Sequence, residues 1–260
     1  MTRGLWDRET VALVLLAAYL PLALFWLRYE GTDAVARLGL AVLVLGLWNL
    51  VFMLARAQPP SLAAAVTALA IAMLAPEGLG VIRLVLGISF GAVMGELVFG
   101  GWGRNGVNRA TVTLSLLGFG FPGPRWPGLV DPVAWAAIPT ALIGAAAGVM
   151  PAAVFGGALL AAAAATGAGV LPQPVLPAAG IVLVLLVADP VTSAATTLGR
   201  VLYGAFYVGL VSLFATNWTG AAPVQIAVSA ALLSSLAAPL LDEAALAVWF
   251  AQRRRRHGRN

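Results

Sequence analysis

The residues able to do chemistry in this chain are few, and they gather in short polar stretches between long apolar runs. The first stretch is Phe99-Gly100-Gly101-Trp102-Gly103-Arg104-Asn105-Gly106-Val107-Asn108-Arg109-Ala110. Its four glycines and two asparagines do not continue a helix well. Glycine also lets the backbone turn left-handed and approach a ligand closely. Asn105 and Asn108 are suited to capping the helix that follows, whose free N–H groups would face an anion or other ligand. A plain interhelical loop is the alternative. The second stretch is Ala188-Asp189-Pro190-Val191-Thr192-Ser193-Ala194-Ala195-Thr196-Thr197-Leu198-Gly199-Arg200, followed by Tyr203-Gly204. Pro190 stops the incoming helix, and Asp189, Thr192 and Ser193 can cap the outgoing one. Asp189 closes a deeply apolar segment, where a carboxylate without a partner is costly. Arg200 is the nearest cation in sequence. A structural cap with an ion pair and a midplane ligand or ion site are both open. The third is Ala238-Pro239-Leu240-Leu241-Asp242-Glu243, two acids beside a proline expected to kink its helix. They face a cavity or a partner subunit, or they mark an aqueous boundary. Glu96 stands alone in an apolar run just ahead of the first stretch. It is either structural glue, with Arg83 as partner, or a proton or cation site. Glu96, Asp189 and Asp242 are the candidate ion-pathway residues.

These stretches are set in a chain built for a bilayer. Its 260 residues are 61% hydrophobic and 10% charged, with a mean hydropathy of +0.96. Soluble domains run nearer a quarter charged, so a water-soluble enzyme, a disordered tail and a disulfide scaffold are excluded. Solid runs such as Val11–Leu24 and Ile181–Val187 lack the alternation of a transmembrane β-barrel. There is no cysteine and one histidine, His257 in the tail. Iron–sulfur ligation, thiolate chemistry, histidine-held haem within the membrane and multi-histidine metal sites are all excluded. No catalytic or metal-ligating set is expected. The net charge of +5 comes wholly from arginine on the basic side, and five of the fifteen arginines lie between Arg253 and Arg259. This cluster reads as an anchor on anionic lipid, not a nucleic-acid site.

The elements that must position the polar stretches are apolar segments at 9–28, 37–55, 60–75, 80–99, 109–122, 132–149, 152–169, 174–189, 199–216 and 222–250. About 20 apolar residues are needed for each span. The segments 60–75, 109–122 and 174–189 are short and flanked by glycine and proline, as in broken or re-entrant helices. The expectation is an all-α polytopic membrane protein of about ten transmembrane or re-entrant helices. The first apolar run lacks a cleavage pattern and reads as a retained helix. Ten segments leave both termini on one side. With that side cytoplasmic, eleven arginines lie inside and four (Arg28, Arg37, Arg83, Arg125) outside, as the positive-inside rule requires. The halves divide as 1–125 and 126–250, with 251–260 a basic cytoplasmic tail. Ala161–Ala165, with Gly156, Gly157, Gly167 and Gly169 around it, is expected to pack helices tightly.

The polar stretches also carry a resemblance. The run FGGWGRNGVNRA resembles the "FGG-x-G-x-N-x-F-N-P-A" segment of the RnfD/NqrB family. These are the D subunits of Rnf electron-transport complexes and the B subunits of sodium-pumping NADH:quinone reductases. ADPVTSAATTLGRVLYG resembles the family's later "ATDPVT…T…G-K/R…YG", and LLSSLAAPLLD is similar to its closing "N…APLID". Thr67-Ala68-Leu69 and Ala75-Pro76, after Pro59-Pro60-Ser61, fit an earlier "S…vTgLLLa…P". Order and spacing agree over roughly residues 55–245. The resemblance implies two inverted five-helix halves like those of urea transporters. It also implies a membrane subunit that passes electrons between a cytoplasmic donor and flavoproteins across the bilayer, often coupled to Na⁺ or H⁺ movement, in a bacterial inner membrane.

The departures bear on the cofactor. Family members with covalent FMN carry "D-x-x-S-G-A-T", whose threonine hydroxyl forms the phosphoester. The aligned stretch runs from Asp131 to Ala137, and Ala137 at the acceptor position has no hydroxyl. Covalent FMN is not expected there. The family's lysine before the glycine stretch is Glu96, and its proline after Asn108 is Arg109. With no redox centre of its own, the chain would hold a noncovalent flavin (FMN or riboflavin) or serve as a scaffold among partners that carry the electrons. The residues assigned to cofactor binding are Gly100, Gly101, Gly103, Asn105 and Asn108 from one half and Asp189, Thr192, Ser193 and Thr196 from the other. A stand-alone channel or transporter for a small solute, or a purely structural subunit, is the alternative.

Overall fold

A computed structural model describes residues 7–56, 61–129 and 131–257. Residues 1–6, 57–60, 130 and 258–260 lie outside the described residues, and with them Arg3, Pro59, Pro60 and Arg259. Eleven helices are described: α1 (Arg8–Ala18), α2 (Leu20–Glu30), α3 (Thr32–Arg56), α4 (Ala63–Leu74), α5 (Val81–Gly95), α6 (Arg109–Gly120), α7 (Asp131–Ala146), α8 (Ala152–Gly167), α9 (Leu176–Val182), α10 (Thr197–Asn217) and α11 (Pro223–His257). Each of the ten apolar segments read from the sequence is helical. The first is broken in two, with a bend of 48° between α1 and α2 at Tyr19, one residue after which Leu20-Pro21 opens α2. Four helices (α3, α5 with its following turn, α10 and α11) are long and apolar enough to cross a membrane, five if the bent pair is one span. The segments over α4, α8 and α9 are shorter.

The surface is inverted relative to a soluble protein. Leu54, Ile82, Leu160 and Trp135 are among the most exposed large side chains, where a soluble monomer would scatter such residues singly. The interior is held by close backbone crossings. On α8 and α10, a Cβ at Gly157 would strike the Val201 carbonyl, and one at Gly204 would strike the Val154 carbonyl. The two glycines face each other's helices reciprocally, as small residues do at membrane helix crossings. Gly156 and Gly167, expected to share that packing, face open space. A second crossing joins α5 to α6, where Gly87, Gly91 and Gly95 meet Leu117, Thr113 and Arg109. Spacing of four puts these glycines on one face.

Helix ends follow local chemistry. Asp7 caps α1, its Oδ1 accepting the Thr10 N–H at 2.8 Å. Gly31, with φ of 67°, turns the chain from α2 into α3. α9 ends in a π-helical turn, Leu183–Val187, closed by the Ala188 N–H donating to the Leu183 carbonyl at 2.8 Å. The Tyr19 hydroxyl, at the α1/α2 bend, donates to the Val184 carbonyl in that turn at 3.1 Å. Pro239 lies inside α11, which continues through it.

Candidate functional site: the buried junction of the two polar stretches

The glycine-rich stretch is the connection from α5 to α6. A short 3₁₀ turn, Leu97–Phe99, leads into Gly100 and Gly101 at φ of 103° and 93°, with Gly103 at 98°. These left-handed angles fold the loop back on itself, and the Gly101 N–H donates to the Glu96 carbonyl at 3.2 Å. Arg8 on α1 donates to the Trp102 carbonyl at 3.1 Å. Asn105 does not cap α6. Its Oδ1 accepts the Gly103 N–H and its Nδ2 donates to the Val107 carbonyl, so it braces the loop from within. Asn108 is the cap, its Oδ1 accepting the Ala110 N–H at 2.8 Å.

The second stretch joins the π-helical turn to α10. Asp189 is buried, yet it caps a turn and not the outgoing helix. Oδ1 accepts the Val191 N–H at 3.3 Å, and Oδ2 accepts the Thr192 hydroxyl at 2.8 Å. The cap of α10 is Thr196, whose Oγ1 accepts the Gly199 N–H at 3.0 Å. Ser193 contributes its N–H to the Asp189 carbonyl, while its buried hydroxyl has no partner among the described residues. Arg200, the expected partner of Asp189, instead donates to the Ala194 carbonyl at 3.0 Å.

The two stretches meet. Asn108 Nδ2 donates to Asp189 Oδ2 at 3.2 Å across 81 residues of sequence. One asparagine therefore caps α6 with its oxygen and ties the two halves of the chain with its nitrogen. Among the described residues, all the donors on the Asp189 carboxylate are neutral.

Beside this junction lies a buried ion pair that sequence reasoning missed. Arg109 Nη1 donates to Glu96 Oε1 at 2.9 Å, and both side chains are 2% exposed. Arg109 Nε also donates to Thr67 Oγ1 on α4 at 2.7 Å, and the Thr67 hydroxyl in turn donates to the Ala63 carbonyl. Arg83, the expected partner of Glu96, lies over the Phe121 ring at 5.6 Å. Arg83 and Arg109 are equally far from Glu96 in sequence. Helical rise separates the two candidates, because Arg83 and Glu96 on one helix stand about 20 Å apart along its axis. A further signal was an arginine in the first turn of α6, where the helix dipole disfavours a cation unless something holds it. Glu96 and Arg109 are also two of the departures from the family pattern, and in space they are one ion pair.

Asp242, on α11, accepts the Ala195 N–H at 2.7 Å, the Thr196 N–H at 2.9 Å and the Thr196 hydroxyl at 2.6 Å. It is partly exposed and fixes the turn before α10. Of the three acids considered for an ion pathway, Glu96 is paired, Asp242 is a turn cap, and Asp189 alone is buried among neutral donors.

The loop does not fit a flavin as it stands. The cavity beside Gly100 and Gly101, which Glu96, Trp102 and Arg8 also line, has a volume of about 20 Å³. That admits a water, whereas cofactor sites run to hundreds of cubic ångströms. Asn105, Asn108, Thr192 and Thr196 direct their polar atoms at one another, at Asp189, at Asp242 or at nearby backbone groups. As arranged, these residues do not form a flavin cradle. Ala137 is buried within α7, and Thr140 donates its hydroxyl to the Ala136 carbonyl. Among the described residues no cluster of three or more acids or histidines is placed to hold a metal.

The comparisons with known proteins agree with the motifs. Residues 5–142, just over half the chain, match the family described as "NQR2, RnfD, RnfE family". The B subunit of the Na(+)-translocating NADH-quinone reductase of Yersinia pestis is 38% identical over 80 residues, covering 31% of this chain and 19% of that protein. Its counterpart in Pseudomonas paraeruginosa is 36% identical over 77 residues, 30% and 19% of the two chains. The counterpart in Klebsiella pneumoniae is 33% identical over 100 residues, 37% and 24%. The matched stretches span about a fifth to a quarter of these relatives' length. On the strength of the match over residues 5–142, this apolar, all-helical chain belongs to the NQR2, RnfD, RnfE family.

Proposed function

We propose that the chain is a compact membrane subunit of an Rnf- or NADH:quinone reductase-type electron-transfer complex. Its own residues handle a cation or proton, and flavoprotein partners carry the electrons. In this reading the ten helical segments form two inverted five-helix halves in a bacterial inner membrane, with both termini cytoplasmic. Family membership supports the setting, because the related subunits are named for Na⁺ translocation and NADH–quinone reductase activity. The observation that carries the local assignment is the Asn108–Asp189 bond. It puts a buried carboxylate, bonded by neutral groups, at the contact of the two signature stretches. In apolar surroundings such a group exists as a neutral acid or takes a cation partner. It can therefore bind and release one positive charge.

Asn108, Thr192 and the Val191 N–H orient the carboxylate and stabilise its charged form. The Glu96–Arg109 pair holds the start of α6, and hence Asn108, in place. A noncovalent flavin would require the glycine loop to open well beyond its present water-sized cavity. That cavity favours the scaffold role for the loop over cofactor binding.

The test pairs two measurements on the complex purified with this chain. Asp189→Asn should leave membrane insertion and assembly intact and abolish ion movement linked to electron transfer. Full coupling in that variant would refute the assignment. An absorbance spectrum of the isolated chain, before and after acid precipitation, should show no bound flavin. Flavin released to the supernatant would move redox chemistry onto this subunit. Solute transport by the chain alone in liposomes would favour the transporter reading instead.

A further inference from the structure

The last helix outruns its neighbour. Asp242 binds the turn that starts α10, so α10 begins level with Asp242. From Pro223 to Asp242, α11 rises about 30 Å, the thickness of the hydrocarbon core. Its remaining residues to His257 therefore extend past the start of α10 at the level of the lipid headgroups. This overhang is not polar, as a solvent-exposed helix end would be. Leu246, Val248, Trp249 and Phe250 are each about half exposed. Between the overhang and the first turn of α10 runs an open groove of about 460 Å³, lined by Thr197, Leu198, Leu246, Val248, Trp249 and Gln252 among others. Its lining is mostly apolar, with the Thr197 hydroxyl at the start of α10 and the Gln252 amide toward the end of the overhang.

Charge marks the Gln252 end. The Arg253 guanidinium lies over the Trp249 ring at 5.1 Å, and α11 continues through Arg254, Arg255 and Arg256. Helical spacing puts Trp249, Gln252 and Arg253 on one face. That is the face whose Trp249 and Gln252 line the groove. The acids nearest in sequence, Asp242 and Glu243, stand about 10 Å before Trp249 along the axis, on the membrane side of the groove. An apolar trough that opens onto arginines, with a tryptophan at the boundary, matches an amphiphile with an anionic head.

We infer that the groove between the start of α10 and the overhanging end of α11 is a binding site for one anionic phospholipid. Its upper acyl chain lies along Leu198, Leu246 and Val248, and its phosphate meets the arginine-bearing face beyond Trp249 and Gln252.

Native mass spectrometry of the full chain in detergent tests this, with phosphatidylglycerol and phosphatidylcholine of matched acyl chains as probes. The wild-type protein should retain phosphatidylglycerol at least about tenfold more than phosphatidylcholine, since each interfacial arginine is worth roughly a factor of five. Arg253→Gln should lower that preference about fivefold while leaving some retention of both lipids. Leu198→Trp, which fills the groove from an exposed position, should reduce retention of both. Equal retention of the two lipids by the wild type would overturn the site. So would a preference untouched by Leu198→Trp and lost only when residues 254–260 are removed, which would make the tail a general electrostatic anchor. A dimer that Leu198→Trp dissociates would assign the groove to a second copy of the chain, and would overturn it too.

Discussion

Removing Arg109 alone should cost far more than removing Arg109 and Glu96 together. In Arg109→Met, Glu96 loses its ion-pair partner in a site 2% exposed, and its second oxygen is already without a partner among the described residues. Breaking a buried pair by deleting one member costs about 3–5 kcal/mol, because the survivor is an uncompensated charge. Glu96→Leu should cost a similar amount, since Arg109 would keep its bond to Thr67, at 2.7 Å, and no carboxylate. Thr67 itself is not orphaned in Arg109→Met, because its hydroxyl still donates to the Ala63 carbonyl. In Glu96→Leu/Arg109→Met both charges are gone and similar apolar volume remains. Replacing a whole buried pair this way ranges from neutral to stabilising by about 1–4 kcal/mol. The double variant should therefore regain most or all of the loss of either single one. The assay is reversible unfolding of purified protein in mixed detergent micelles, run as a four-member cycle. Single variants that each cost under about 1 kcal/mol, or a double variant as unstable as the sum of the two, would refute the pairing.

Other perturbations separate structural groups from the proposed ion-handling one. Gly204→Leu should destabilise the protein toward the upper end of about 1–3 kcal/mol, because its Cβ would meet the Val154 carbonyl and the Ala158 nitrogen. Gly156→Ala, adjacent to the α8–α10 crossing but facing open space, should be neutral or slightly stabilising in the same unfolding assay. Asp242→Ala removes three hydrogen bonds from the turn before α10. It should lower stability by about 1–2 kcal/mol yet leave ion coupling intact, the opposite of Asp189→Asn. Loss of coupling in Asp242→Ala would return that acid to the pathway.

What the sequence made legible was where polarity interrupts the apolar runs. Those runs are driven by length and hydropathy, so all ten emerge as helices; the first two polar stretches emerge as loops or turns, while the third, Ala238–Glu243, stays within α11. Partnerships were less visible. Asp189 and Asn108 lie 81 residues apart, and only the packing of the two halves brings them together. Arg200 and Arg83 were favoured as partners by nearness along the chain. A side chain three helical turns or more away on the same helix cannot reach, whereas one on the next helix can when glycines let the backbones close. Gly95 does this for Arg109, whose Cα would lie 3.0 Å from a Cβ placed there. Capping was half visible, because Asn, Asp, Ser and Thr are interchangeable as caps in composition, and which one serves depends on where the turn ends. How many helices cross the bilayer was the least visible, since a short apolar helix reads alike whether it crosses or re-enters.

The π-helical turn before Asp189 has a consequence for how the acid's direction is inherited. Such a turn holds one residue more than an α-helix would need for the same rise. Because the wider turn takes up that residue, deleting one from Leu183–Val187 would restore α-helical pairing and leave Asp189 facing Asn108, whereas a deletion in the α-helical part before it would rotate everything after it by about 100°. Exchanges among leucine and valine within those five positions keep the count and leave the carboxylate where it is. The orientation of the one acid buried among neutral donors is thus recorded in the number of α-helical residues before it, robust to drift in their identity, and the π-helical turn is the one place there where a single-codon deletion is absorbed.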